Sequence, residues 1–215
     1  YARAAIRSRN KTDQAHVVAM YAALPDSAKL DAEDHTLIAT QQVDTQQMDL
    51  ARHNLNQAMA LDSTYAEAYF QTGLLHFKNQ HPDSAITYFR QAIRHDPKKP
   101  LYFLNLGVAH FQLKKVDKSV PAFRSALALD QKLVIGHVLL GQALVSEDSL
   151  AAAQASYEQA LTIDPANGKA LRGLGFIHLR NSNYEDAANA YKMSTASEPK
   201  NADGWAGLGQ AYLGM

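Results

Sequence analysis

Cysteine is missing from the 215-residue chain. Disulfides, zinc–thiolate centres and thiol catalysis are thereby removed, although the compartment is not fixed. Neither sign of charge is in excess, since 21 Lys and Arg balance 21 Asp and Glu. The composition therefore points neither to nucleic acid nor to an anionic membrane surface. No apolar run approaches the ~18 residues that a membrane-spanning helix needs. No signal peptide is visible, and the sequence opens on Tyr1 rather than Met, which leaves room for a leader or upstream region. There is also no phosphate-cradling glycine loop, nucleophile elbow or His-Glu-x-x-His run. An enzyme is not expected, and neither is a cofactor.

What the chain does contain is itself, several times over. Residues 66–97 read as two amphipathic helices with a turn between them. Tyr69, Thr72, Gly73 and His76 share one face of the first, and Ala85, Phe89 and Ala92 share one face of the second. Neither helix can bury that face alone. A shift of 34 residues aligns a small column at Ala39, Gly73, Gly107, Gly141, Gly175 and Gly209. The same shift aligns Ala51, Ala85, Ser119, Ala153 and Ala187, and then Leu55, Phe89, Phe123, Tyr157 and Tyr191. Ala58, Ala92, Ala126, Ala160 and Ser194 follow, and Pro97, Pro165 and Pro199 close three of the units. The physics is that of close helix pairs. A residue with no Cβ, or only a methyl, lets the partner approach, the aromatic column fills the gap, and proline stops the second helix.

These columns predict first helices over 66–78, 100–113, 134–145 and 168–181, and second helices over 83–95, 117–129, 150–163 and 184–197. Pro121 is expected about one turn into its helix, where a missing N–H costs least. The stretch GWAGLGQAY (residues 204–212) and the ending YFRQAIRHDP (residues 88–97) resemble tetratricopeptide repeats. The resemblance covers the chain from Ala32 onward and implies an all-α, right-handed superhelical solenoid of helix-turn-helix units. Residues 32–215 are then five units plus the first helix of a sixth, and residues 1–31 a degenerate leading repeat or an N-terminal cap. The apolar stripe Val17, Met20, Tyr21 and Leu24 is expected to cover the first unit. At the other end the helix of Trp205, Leu208 and Tyr212 lacks a partner helix. The chain is accordingly expected to be a fragment, with that open end able to meet a second copy.

Two recurrent groups invite a chemical reading and receive a structural one. His76, His110 and His178 share a column, but a repeat apart they are too distant to share an ion at ~2 Å ligand distances. Each imidazole is expected to fill a helix–helix gap with one hydrogen bond, and no metal is expected. Asp62, Asp96, Asp130 and Asp164 recur just before the closing turn and are read as turn residues.

The resemblance also implies a concave groove, lined by first helices, that takes a peptide or helix of another protein. The positions carried to it are Phe70, Leu74, Phe77, Leu101, Leu104, Val108, Phe111, Ile135, Val138, Lys169, Arg172, Phe176, Leu179 and Arg180. The groove is expected to be apolar in the middle and basic toward the C-terminal end. These side chains are expected to be surplus to the core, so that Phe70 and Leu104 could become Ser without unfolding the array. The Lys, Asn and Arg clamp of chaperone-binding relatives is absent, and Asn105 stands alone where an asparagine ladder would run. The sequence thus reads as a non-catalytic protein–protein interaction scaffold. The alternatives are a self-assembling structural module and the docking domain of a larger protein.

Overall fold

The computed structural model describes residues 30–215. The leading stripe Val17, Met20, Tyr21 and Leu24 lies outside the described residues. Among these, eleven helices and no strand are found. They are α1 (Ala32–Asp44), α2 (Met48–Leu61), α3 (Ala66–Lys78), α4 (Pro82–His95), α5 (Pro100–Gln112) and α6 (Val116–Leu129). They continue with α7 (Val134–Ser146), α8 (Leu150–Ile163), α9 (Gly168–Arg180), α10 (Tyr184–Ser197) and α11 (Ala202–Gly214). Odd numbers are first helices and even numbers second helices. Every predicted limit falls within a residue of the observed one. The periodicity carries this precision because the turns repeat as strictly as the helices.

Each first helix except α11 ends the same way. Gln46, Gln80, Lys114, Asp148 and Ser182 take positive φ between 57° and 64°. The next residue's N–H then reaches back to a carbonyl in the last turn, as in Gln47 to Gln42, His81 to His76 and Asn183 to His178. This pattern satisfies carbonyls that a helix end leaves orphaned. Glycine is the residue that usually holds this conformation, yet none stands at these five turns. Each second helix ends at an acidic residue, which is extended at Asp62, Asp96 and Asp130. The carboxylates of Asp62, Asp96, Asp130 and Asp164 accept the N–H two residues on, at 2.8, 3.1, 2.9 and 3.3 Å. The recurring aspartates are thus turn residues, as their period indicates. Pro121 lies about one turn into α6, as expected, but as its sixth residue it forgoes a helical hydrogen bond, so the missing N–H is not at its least costly there.

The core is built by the small and aromatic columns acting together. Leu55, Phe89, Phe123, Tyr157 and Tyr191 are all buried. A Cβ placed on Gly73, Gly107, Gly141 or Gly175 would lie 2.5, 2.6, 2.6 or 2.7 Å from the ring of Phe89, Phe123, Tyr157 or Tyr191, respectively. Each ring therefore occupies the space that a side chain on the facing helix would need. Full burial of such a ring is worth roughly 1.5–3 kcal/mol before cavity effects.

The chain divides into two compact units, with the boundary between Tyr102 and Phe103 near the start of α5. In the N-terminal unit α1 pairs with α2 and α3 with α4. Its core includes Ala39, Ala51, Leu55 and Leu75, Ala32, Ala58 and Ala68, and also buried Phe70, Ile86, Phe89 and Tyr102. Polar side chains join α1 to α2, where His35 Nδ1 lies 2.8 Å from the Asn54 carbonyl oxygen and Asn54 donates to Gln42 at 3.0 Å. The C-terminal unit has a continuous core that includes Leu104, Phe123, Val138, Leu144, Tyr157 and Ile177. Ala187, Ala188, Tyr191, Leu208 and Ala211 extend the packing to α11. Each unit is a stack of helical hairpins, which makes the chain an all-α helical-repeat protein. Among the described residues no helix is long and apolar enough to cross a membrane.

Candidate functional site

The expected groove residues fall into three groups once their side chains are placed. Phe70, Leu104 and Val138, which share one column, are buried. Phe70 lies between Phe89 and Tyr102, with ring centroids 5.7 and 4.6 Å away. Leu104 and Val138 belong to the C-terminal core. These three are therefore not surplus to the fold, and the expectation that Phe70 and Leu104 tolerate Ser is corrected. Periodicity places a residue on a helix face, but the width of the contact decides how much of that face is covered.

A second group is half-buried, comprising Leu74, Phe77, Val108, Phe111, Arg172 and Leu179. Val108 and Phe111 pack against the C-terminal core, and Leu179 packs against the Ala187–Tyr191 cluster. The third group is exposed. Leu101, Ile135 and Phe176 show 49, 40 and 38% of their surface, which is enough to leave an apolar face for contact. Lys169 and Arg180 are also exposed.

The basic end is less free than the sequence suggests. Arg172 is held by the carboxylate of Glu198, which also accepts from Asn201. Arg180 donates to Asp148 at 2.9 Å and lies over the Phe176 ring at 5.9 Å. Lys169 takes part in no ion pair among the described residues.

Within the C-terminal unit these residues converge on a cleft of about 450 Å³. Phe111 of α5, Val145 of α7 and Phe176 of α9 supply apolar walls. Gln142, Ser146, Lys169, Arg172 and Asp203 supply polar groups, and Tyr157, Gly173 and Tyr191 complete the lining. The volume lies within the range that takes a small ligand or a large side chain. Phe111, Lys169, Arg172 and Phe176, four of the expected groove positions, line this cleft together. Gly173, Tyr157 and Tyr191 were missed there because tyrosines on second helices were assigned wholly to the core. Their signal was nonetheless present. Glycine appears two residues before the small column only at Gly173 and Gly207, the two units that follow Tyr157 and Tyr191 rather than Phe89 and Phe123.

The histidine column carries no comparable site. His76 fills its gap by lying flat on Tyr88, with centroids 5.0 Å apart and planes at 10°, in place of the expected hydrogen bond. Burial, with His81 and Arg52 nearby, pushes its imidazole below the ordinary value of 6.5. Among the described residues no group of three or more His, Cys, Asp or Glu side chains is placed to hold a metal ion.

Family models described as Tetratricopeptide repeat match residues 70–133 and 144–211, between them more than half of the chain. The chain belongs to the tetratricopeptide repeat family. No curated protein matches it. Solved structures resemble it in fold at low identity. The C-terminal part of a tetratricopeptide repeat-containing protein from Cytophaga hutchinsonii is 22% identical, with a TM-score of 0.73 over 97% of this chain and 86% of that one. YrrB, described as a tetratricopeptide protein with an unusual peptide-binding site, is 20% identical, with a TM-score of 0.71 over 82% of this chain and 91% of its own. The anaphase-promoting complex hetero-tetramer Cut9–Hcn1 contains a chain that is 17% identical, with a TM-score of 0.75 over 93% of this chain and 38% of its own. Membership makes this tetratricopeptide chain, in general terms, a protein–protein interaction scaffold.

Proposed function

We propose that this tetratricopeptide chain is a non-catalytic scaffold that docks an apolar or amphipathic segment of another protein against its first helices. The principal seat is the cleft of the C-terminal unit. The observation that carries the reading is the cleft itself, where Phe111, Val145 and Phe176 stand beside polar groups and Phe176 remains more than a third exposed. An exposed aromatic wall beside convergent polar groups is how a binding site differs from a core. The peptide-binding site named for YrrB supports the reading by likeness of fold alone. Apolar burial supplies affinity at about 25 cal/mol per Å², less the cost of ordering the ligand. Lys169 contributes orientation and encounter rate, which weaken with salt.

The test is a selection of short displayed peptides on the wild-type chain, followed by anisotropy titration of the winners. Phe176→Ala is expected to weaken them about tenfold or more while leaving the melting curve unchanged. Undiminished binding by that variant places the site elsewhere.

A second reading, self-association through α11, is favoured by one observation. A Cβ on Gly209 would meet nothing within 4 Å, whereas the four preceding column glycines each meet a ring. Trp205 and Tyr212 on the same helix are 53 and 57% exposed, which leaves apolar surface for a second copy. Sedimentation at rising concentration tests this, and a monomer throughout removes it.

A further inference from the structure

We infer that the cleft of the C-terminal unit reads an acidic side chain, set beside a bulky apolar one, through the hydroxyl of Tyr157. This deepens the docking reading above and rests on it.

The starting point is a pair of linked exceptions in the repeat. Phe89 and Phe123 show that the aromatic column is satisfied by a ring without a hydroxyl, since both are fully buried. Tyr157 and Tyr191 add a hydroxyl at the same position. In both cases the following unit replaces the corresponding Asn105 or Leu139 with Gly173 or Gly207. A Cβ on Gly173 would collide with the Tyr157 ring, and one on Gly207 with the Tyr191 ring. Leu139, by contrast, carries a full side chain and packs against the core that contains Phe123. The glycines therefore let the tyrosine rings approach α9 and α11 closely enough to form part of the cleft lining.

The hydroxyl is the part of Tyr157 that the fold leaves unused. The residue is 3% exposed and lines the cleft, and its hydroxyl has no hydrogen-bond partner among the described residues. The hydroxyl is not a buried unpartnered atom, so it opens onto the cleft, where a ligand acceptor can take the place of water. Burial pushes its pKa up to about 12, so it stays protonated and remains a donor across the physiological range. The complementary group is an acceptor.

Charge selects which acceptor. Lys169 lies one helical turn before Gly173 on α9, lines the same cleft and is not engaged in an ion pair. Arg172 is neutralised by Glu198. Asp203 stands one turn before Gly207 on α11, beside the Tyr191 position, and repels an acid from that end. A carboxylate is thus favoured at the Tyr157 end, where it accepts from a phenol and faces an ammonium. The apolar neighbour rests on Phe111, Val145 and Phe176.

The experiment uses the same displayed-peptide selection on the wild-type chain, with Tyr157→Phe as the principal variant. Phenylalanine already occupies this column twice, so the fold is expected to hold, and a melting curve checks it. Selected peptides should carry Asp or Glu next to a large apolar residue. Changing that acid to Gln or Asn should cost about tenfold in affinity, the size of one charge-assisted hydrogen bond. Tyr157→Phe should cost about the same, and the two changes together should cost less than their product, because they remove one shared contact. If Phe176→Ala abolishes binding while Tyr157→Phe and the acid substitution leave it untouched, the hydroxyl inference is overturned and the docking reading survives. If no selected peptide is weakened by Phe176→Ala, both fall.

Discussion

The two units run on one register and end with different first-helix surfaces. In the N-terminal unit Phe70 lies between Phe89 and Tyr102 and consumes the space on its own helix face. Tyr102 in turn donates to Glu67 at 2.9 Å, and Glu67 also accepts from Gln71 at 2.7 Å. The equivalent of Phe70 on α9 is Arg172, which pairs with Glu198, and the equivalent of Gln71 is Gly173. The removal of bulk at Gly173, next to an arginine drawn to Glu198, accompanies a cleft beside Tyr157. A repeat protein can thus keep its stacking columns fixed and place a site by changing the size of neighbouring residues on one helix.

The sharpest way to break this comparison is to treat Phe70 and Phe176 alike. Phe70→Ser should destabilise the chain by about 3–5 kcal/mol, the usual cost of emptying a buried aromatic site. Phe176→Ser should change stability by less than about 1 kcal/mol, since surface positions seldom matter more. Chemical denaturation of both variants decides the matter, and equal losses would show that Phe176 is part of the core.

The packed and open glycines give the next contrast. Gly141→Leu drives a side chain into the Tyr157 ring and should cost about 1–3 kcal/mol or more. Gly209→Leu meets open space and should cost only a few tenths. Thermal melts of the pair measure it, and a comparable loss at Gly209 would mean that its face is covered in solution.

An acid sensitivity should follow the N-terminal unit. The imidazole of His76 is held below its ordinary 6.5, chiefly by burial. The unfolded chain therefore binds that proton more readily than the folded one, and stability rises with pH through this region. The contribution is present above about pH 6.5 and is lost as pH falls toward the folded value. His76→Phe should flatten this part of the stability–pH curve if the ring stacks on Tyr88 as the imidazole does. An unchanged slope would place the acid sensitivity elsewhere.

The smallest effect should be the same in both units. Gln80→Gly and Ser182→Gly each relieve a positive φ of about 60°. The gain in the folded state is offset by the greater freedom of glycine in the unfolded chain. Each variant should shift stability by no more than about 1 kcal/mol. A large difference between the two would show that the turns, and not only the helix faces, distinguish the units.

Much of this protein was legible in one dimension. The 34-residue register determined the helices, their limits and the pairing of small with aromatic columns. These are local and periodic properties, and each helix must bury the same stripe against its neighbours. The sequence also showed that Asp62 and its equivalents serve turns, because a catalytic pair has no reason to recur at the period of the fold. Tertiary structure decided what the stripes leave over. Phe70, Leu104 and Val138 are buried while Phe176 is exposed, although all lie on faces assigned to the groove. The reason is that burial at a helix edge depends on the bulk contributed by other helices, which no single periodicity contains. Likewise the pairing of Arg172 with Glu198, and the opening of Tyr157 to the cleft beside Gly173, join residues from different helices. Their chemistry was written in the sequence, but their proximity was set only by packing.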